Sequence, residues 1–214
     1  AKAGSAVFNS NATIGDLNMV GGNVTTEIST IELKGNLISG TGVTFDDNTG
    51  TAKMLLSGTA TQTLTGAIAG IGAAEGEIKV TNTSAAGVIF ATAVGATTLK
   101  LADIDTKATF NAALGAATIN NSGTMIVTGA AVATATISTG TTSYASTLIA
   151  ATNTVSGGTA TFGGKITAST GLIVSGANTI VNIGGAASDL GELDISAGTV
   201  NINIKNMDIG ILDL

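Results

Sequence analysis

Between Ala108 and Ser188 apolar and hydroxyl residues alternate in short runs that glycines keep interrupting, and few folds accept such a pattern. Thr134, Thr136 and Ser138 alternate with Ala133, Ala135 and Ile137, and Thr159 and Thr161 with Ala160 and Phe162, which is the period of two of a strand. Breaks fall at Gly115, Gly123, Gly129, Gly140, Gly157/Gly158, Gly163/Gly164, Gly171, Gly176 and Gly184/Gly185. Most are separated by about five to eight residues, a short strand plus its corner. The only formal charge in the stretch is Lys165. Short strands joined by tight corners predict an all-β chain, a right-handed parallel β-solenoid in which each turn adds a layer about 4.8 Å above the last around one narrow core.

The composition agrees with a thin body. Aromatic residues make up 3% of the 214 residues, with one Tyr and no Trp, whereas 44% are hydrophobic. A wide globular core recruits large rings, but an interior one coil wide fills with Ile, Val, Leu, Ala and Thr. The expectation is one β-solenoid domain over residues 1–214, with a fragment or mature part of a longer exported protein left open. Proline, which cannot donate to a strand ladder, is absent. So are cysteine and histidine, which removes disulfides, thiolate and imidazole metal ligands, and any Ser-His-Asp arrangement. The net charge of −6, with eight lysines and no arginine, argues against nucleic-acid binding. Apolar runs are too short and too rich in Gly, Thr and Asn for a transmembrane helix, and no charged, hydrophobic leader opens the chain.

In chain order the strand candidates are Ala6 to Phe8, Thr13 to Val20, Asn23 to Leu33, Asn36 to Ile38, Lys53 to Leu56, Thr59 to Thr65, Glu77 to Thr83, Gly87 to Ala93 and Thr97 to Ala102. Thr25 to Leu33 also fits an amphipathic helix, though its Thr and Ile favour strand. A looser segment, Gly66 to Gly76, predicts a wider loop on the side of the solenoid, and residues 108 to 113 a helical turn. Alternation is clearest near the end, with Leu193, Ile195, Val200, Ile202 and Ile204 on one side and Asn201 and Asn203 on the other, placed for amide ladders.

Three phrases carry a family resemblance: Gly21-Gly22-Asn23-Val24-Thr25, then Leu64-Thr65-Gly66-Ala67-Ile68 followed by Glu77-Ile78-Lys79-Val80-Thr81-Asn82, and Gly158-Thr159-Ala160-Thr161-Phe162-Gly163-Gly164-Lys165-Ile166. They resemble passenger regions of bacterial autotransporters, above all the Ala/Thr/Gly-rich surface antigens of the rickettsial outer-membrane-protein-B type. The resemblance implies a β-helical protein exported to the bacterial cell surface, acting as an adhesin or as part of a crystalline surface layer.

Carboxylates are the remaining candidates for chemistry. Asp46/Asp47, Glu75/Glu77, Asp103/Asp105 and Glu192/Asp194 are close pairs of the kind that β-helical glycosidases and lyases use, but the aromatic and arginine partners of a sugar groove are missing, so the expectation is no catalysis and no organic cofactor. Asp46-Asp47-Asn48-Thr49-Gly50 is the best short candidate for calcium, although it lacks the spacing and terminal Glu of a calcium loop and also reads as a turn. Gly163-Gly164-Lys165-Ile166 fails as a phosphate loop because Ile166 stands where Ser or Thr is required. Asn11, Asn23 and Asn82 open Asn-X-Ser/Thr sequences.

Function is expected from the ends and sides of the body. A solenoid's open ends expose unpaired backbone groups, so a homo-oligomer or polymer, as filament or surface layer, is the leading expectation, with Asn201, Ile202, Asn203, Ile204, Met207, Ile209 and Ile211 as the joining element. The alternative is an adhesin using the loop marked by Gly66, Ile68, Gly70, Gly72 and Glu75. A minor alternative is ice binding by Thr-X-Thr pairs in Thr59 to Thr65 and Thr134 to Thr136.

Overall fold

The computed structural model describes residues 4–70, 75–185 and 188–214, the side chain of Thr97 excepted, and every described residue is in a strand, bend, turn or connecting stretch. Among the described residues twenty-two strands pair in parallel, and from Val94–Leu101 to Ser188–Ile195 each pairs with the strand two further along the chain, as Leu114–Asn121 does with Ala131–Ser138. The result is a parallel β-solenoid of about nine turns.

Each coil has three faces. The first is the stack of short strands Gln62–Leu64, Val88–Phe90, Lys107–Phe110, Thr124–Val127, Thr141–Tyr144, Thr159–Phe162, Ile180–Ile183 and Thr199–Ile202. The second and third are the two halves of longer strands such as Leu114–Asn121, which bend at Ala117, a residue without a lateral partner. Near the N-terminus the corner between those faces is a loop instead, so the chain needs 25 residues from Ala12 to the overlying Leu37 but 17 from Phe110 to the overlying Val127. The coils are therefore shorter from Val94 onward.

Register turns the period of two into continuous inward columns. Leu37, Leu64, Phe90, Phe110, Val127, Tyr144, Phe162 and Ile183 lie one above another, all buried. Aromatic rings stack there, Phe90 on Phe110 with centroids 4.5 Å apart and Tyr144 on Phe162 at 5.7 Å. A second column runs through Ile31, Met54, Ile78, Leu99 and Ile119, passes Thr136 and Asn153, and returns to Leu172 and Leu193. Beside the bend, where two walls converge, the column is Ala96, Ala116, Ala133, Ala150 and Ala168. Burying each large aliphatic or aromatic side chain contributes about 1.5–3 kcal/mol. Corners stack backbone on backbone, which explains the glycine punctuation: at Gly158, with φ of +63°, a Cβ would lie 2.2 Å from the Gly140 carbonyl oxygen.

Several boundaries differ from the sequence expectation for local reasons. Residues 108 to 113 make no helical turn, because Lys107–Phe110 is a strand clamped between Val88–Phe90 and Thr124–Val127 with Ala108 and Phe110 inward. Pairing with neighbouring coils overrides the local Ala preference. The strand expected from Asn23 starts only at Ile28, since the Asn23 amide donates to Glu27 Oε2 at 2.8 Å and the Glu27 amide to the Val24 carbonyl at 2.9 Å, closing a turn. Thr59 to Thr65 contributes only Gln62–Leu64. Ile180 faces outward at 42% exposure while Val181 and Ile183 take the inward positions.

Candidate functional site

The first candidate, Asp46 to Asn48, is a corner whose two carboxylates accept from backbone amides and whose Asn48 side-chain amide meets a neighbouring side chain. Asp47 Oδ1 accepts from the Ala52 amide at 2.9 Å and Oδ2 from the Gly76 amide at 3.0 Å, so one carboxylate ties its own turn to the next coil. Asp46 Oδ1 accepts from the Asn48 amide at 3.0 Å, and Asn48 takes a φ of +50°, tolerated by an Asn at a turn. Asn48 Nδ2 in turn donates to Asn23 Oδ1 at 3.2 Å. Among the described residues no three His, Cys, Asp or Glu side chains converge as a metal site would need.

The loop proposed for adhesion divides into parts. Ile68–Gly70 is a strand with Ile68 at 2% exposure, stacked between Val43 and Val94, so Ile68 belongs to the core and not to a loop surface. Gly66 packs against Ser39 and Gly42, Gly72 lies outside the described residues, and Glu75 is half-buried. Where the coils shorten, Gly70 and Glu75 border a groove of about 390 Å³ whose floor is made of small outward residues, Gly95, Gly115 and Ala117, and whose far wall carries Val132 and Thr134. This is the concavity that the step in coil size creates.

The third candidate is the last layer, Thr199–Ile202 and Met207–Asp213. Ile202 continues the inward column above Ile183 and is 43% exposed, with no strand paired over it among the described residues. Ile211, Leu212 and Leu214 are likewise exposed, at 61%, 55% and 84%. Met207 and Ile209 are half-buried, and Ile204 packs against the core from outside a strand. Asn201 Nδ2 donates to Asn182 Oδ1 at 2.9 Å, one rung of the expected amide ladder, whereas Asn203 is an exposed residue after the strand.

The carboxylate pairs do not form one site. Glu77 holds an ion pair with Lys53 at 2.6 Å, and Asp103 caps its own turn by accepting from the Ile104 amide at 2.7 Å. Asp194 stacks over Asp213 on the outer surface of the last coils, and Asp189 over Asp208. Of the Thr-X-Thr pairs, Thr134 sits at the bend and Thr136 points inward, so this pair presents no outward array. Asn82 is fully buried, with Nδ2 donating to the Ala60 carbonyl at 2.9 Å and to Gln62 Oε1 at 2.7 Å, so its Asn-X-Ser sequence is closed to glycosylation in the folded chain, unlike the exposed Asn11.

Inward polar residues are what sequence reading misses. Asn121, Thr136, Ser138, Thr142 and Asn153 are all buried, in phase with the apolar columns of neighbouring coils. The signal lay in phase alone: each occupies the parity of its apolar stack neighbours, which is invisible until the register is known. Beside them Tyr144 is buried, and burial pushes its hydroxyl far above the usual tyrosine value of about 10. The unfolded chain then ionises above about pH 10 while the folded chain holds its proton, so the stability present below that pH falls as pH rises, by up to about 1.4 kcal/mol per unit. Urea unfolding midpoints at about pH 9 and about pH 11 should separate more in the native chain than in Tyr144→Phe; equal shifts would remove Tyr144 as the cause. Comparison with protein families, curated proteins and solved structures finds no match to this chain.

Proposed function

We propose that this chain is a structural body of a bacterial cell surface that associates with copies of itself into a layer or filament. The repeating stack carries the reading: coil after coil sets the same inward column in register, from Leu37 through Phe110 to Ile183, with low charge along the whole body. The resemblance of the Gly-Gly-Asn-Val-Thr and Gly-Thr-Ala-Thr-Phe phrases to autotransporter passengers supports the surface location. A low-charge parallel stack suits a scaffold. Deleting residues 201 to 214 is expected to abolish large species in sedimentation velocity and electron microscopy while most of the β circular dichroism remains; unchanged assemblies would reject the joining element.

The second reading, an adhesin, is favoured by the groove bordered by Gly70 and Glu75. It lacks the Trp and Arg anchors common at interface hot spots. Filling the groove floor by Gly115→Lys, where an added Cβ meets nothing nearer than the Val94 carbonyl oxygen at 3.9 Å, separates the two readings, since only an adhesin loses cell attachment.

A further inference from the structure

One outward column runs along the face built from the second halves of the long strands, and strand register fixes the order of its rungs. Lys79 lies beside Lys100, the next four rungs are the uncharged Asn120, Ile137, Thr154 and Ile173, and Asp194 follows beside Asp213. All of them are half-buried or exposed. The two ammonium groups thus stand on adjacent strands about 4.8 Å apart at the backbone, as do the two carboxylates, and like charges so placed repel. Among the described residues the ion pair on this face joins Lys53 to Glu77 in the neighbouring column and leaves these four groups without one. The charges are placed symmetrically. Counted from the midpoint between Ile137 and Thr154, Lys100 and Asp194 are the third rung on either side, and Lys79 and Asp213 the fourth.

We propose that this face docks a second, antiparallel copy of the chain about a two-fold axis that runs along the strands between the Ile137 and Thr154 rungs. Each rung then meets the rung equally far on the other side of the axis. Lys100 meets the second copy's Asp194 and Lys79 its Asp213, and the symmetry makes each pair twice. Between them Ile137, at 43% exposure, packs on Thr154, and Asn120 on Ile173. In the neighbouring column, two residues earlier in each strand, Thr98 meets Glu192 and Glu77 meets Ile211, so no like charges are opposed. Sliding the copies by one coil keeps only one of the two kinds of pair, and a parallel arrangement sets Lys79 against Lys79. Charge complementarity of this kind fixes register and orientation more than it adds strength, since exposed pairs contribute little singly and are screened by salt. The proposal rests on the reading of a self-associating body and gives that body a lateral surface.

Sedimentation velocity on the full 214-residue chain tests the face. The native chain is expected to dimerise at about 0.05 M salt and to dissociate towards about 1 M, where charges are screened beyond about 3 Å. Lys79→Glu with Lys100→Glu, and separately Asp194→Lys with Asp213→Lys, oppose like charges across the axis, and each is expected to raise the dissociation constant at least about tenfold. Mixed in equal amounts, the two variants carry complementary faces and are expected to restore the dimer. The single changes Lys100→Glu and Asp194→Lys, with the same mixing, serve if a double variant loses its β circular dichroism. A native chain that associates while the folded variants match it, or a mixture no tighter than its components, overturns this face and leaves self-association standing. A native chain that stays monomeric at every salt concentration overturns both.

Discussion

Ile183→Asp is expected to destroy the ordered packing of the C-terminal coils, while Asn182→Asp, one residue away, leaves it intact. Ile183 is 0% exposed and lies between Phe162 and Ile202 in the inward column. A carboxylate there meets no donor and costs several kcal/mol, a large part of the roughly 5–15 kcal/mol that holds a domain together. The solenoid is quasi-one-dimensional, so the damage concentrates in the adjoining coils before it spreads. Asn182 faces outward, and its Oδ1 only accepts from Asn201 Nδ2, a role an aspartate retains. Urea melts of the two variants, followed by circular dichroism, should differ by more than about 3 kcal/mol; equal tolerance would mean that the alternation does not define inside and outside.

Phe110→Ala is the second large effect. The ring is 1% exposed, stacked almost parallel on Phe90 at 4.5 Å and covered by Val127. Its removal leaves a hole in a core one coil wide, with strands on every side fixed by their ladders, so relaxation into the gap is limited and a loss of about 3–5 kcal/mol is expected. Phe110→Leu refills most of the space and should recover more than half of that loss. The urea midpoint is the readout, and a loss under about 1 kcal/mol for the alanine variant would contradict the aromatic column.

What was legible in the chain follows from the same packing. Thr159-Ala160-Thr161-Phe162 reads correctly as out, in, out, in, because Phe162 and Thr161 differ strongly in hydropathy and Gly157, Gly158, Gly163 and Gly164 mark both corners. Thr134-Ala135-Thr136 misleads, because Ala and Thr differ little and the bend at Thr134 shifts the phase that decides which of them is inside. Residues 108 to 113 read as a helical turn when taken alone, and only Phe90 beneath and Val127 above make Lys107–Phe110 a strand. The last layer was legible as strands and as an inward apolar series, but exposure of Ile202 is a property of its place in the stack, which local pattern does not encode. Within the loop candidate Ile68 is core, since parallel pairing with Val43 and Val94 draws it inward, and that pairing is invisible in the local pattern.

Parallel, in-register stacking is the claim on which every other statement depends, and the chain's lack of native cysteine allows a clean test by site-directed labelling. Thr124, Thr141 and Thr159 begin successive strands of the first face; Thr141 lies directly over Thr124, and all three side chains face outward. Nitroxide labels on cysteines placed at Thr124 and Thr141 should sit about one strand spacing apart, near 4.8 Å at the backbone, and show strong dipolar and exchange broadening in electron paramagnetic resonance. A label pair at Thr124 and Thr154, on different faces, should show far less. Sharp, uncoupled spectra from the Thr124 and Thr141 pair in a folded chain would contradict the solenoid register.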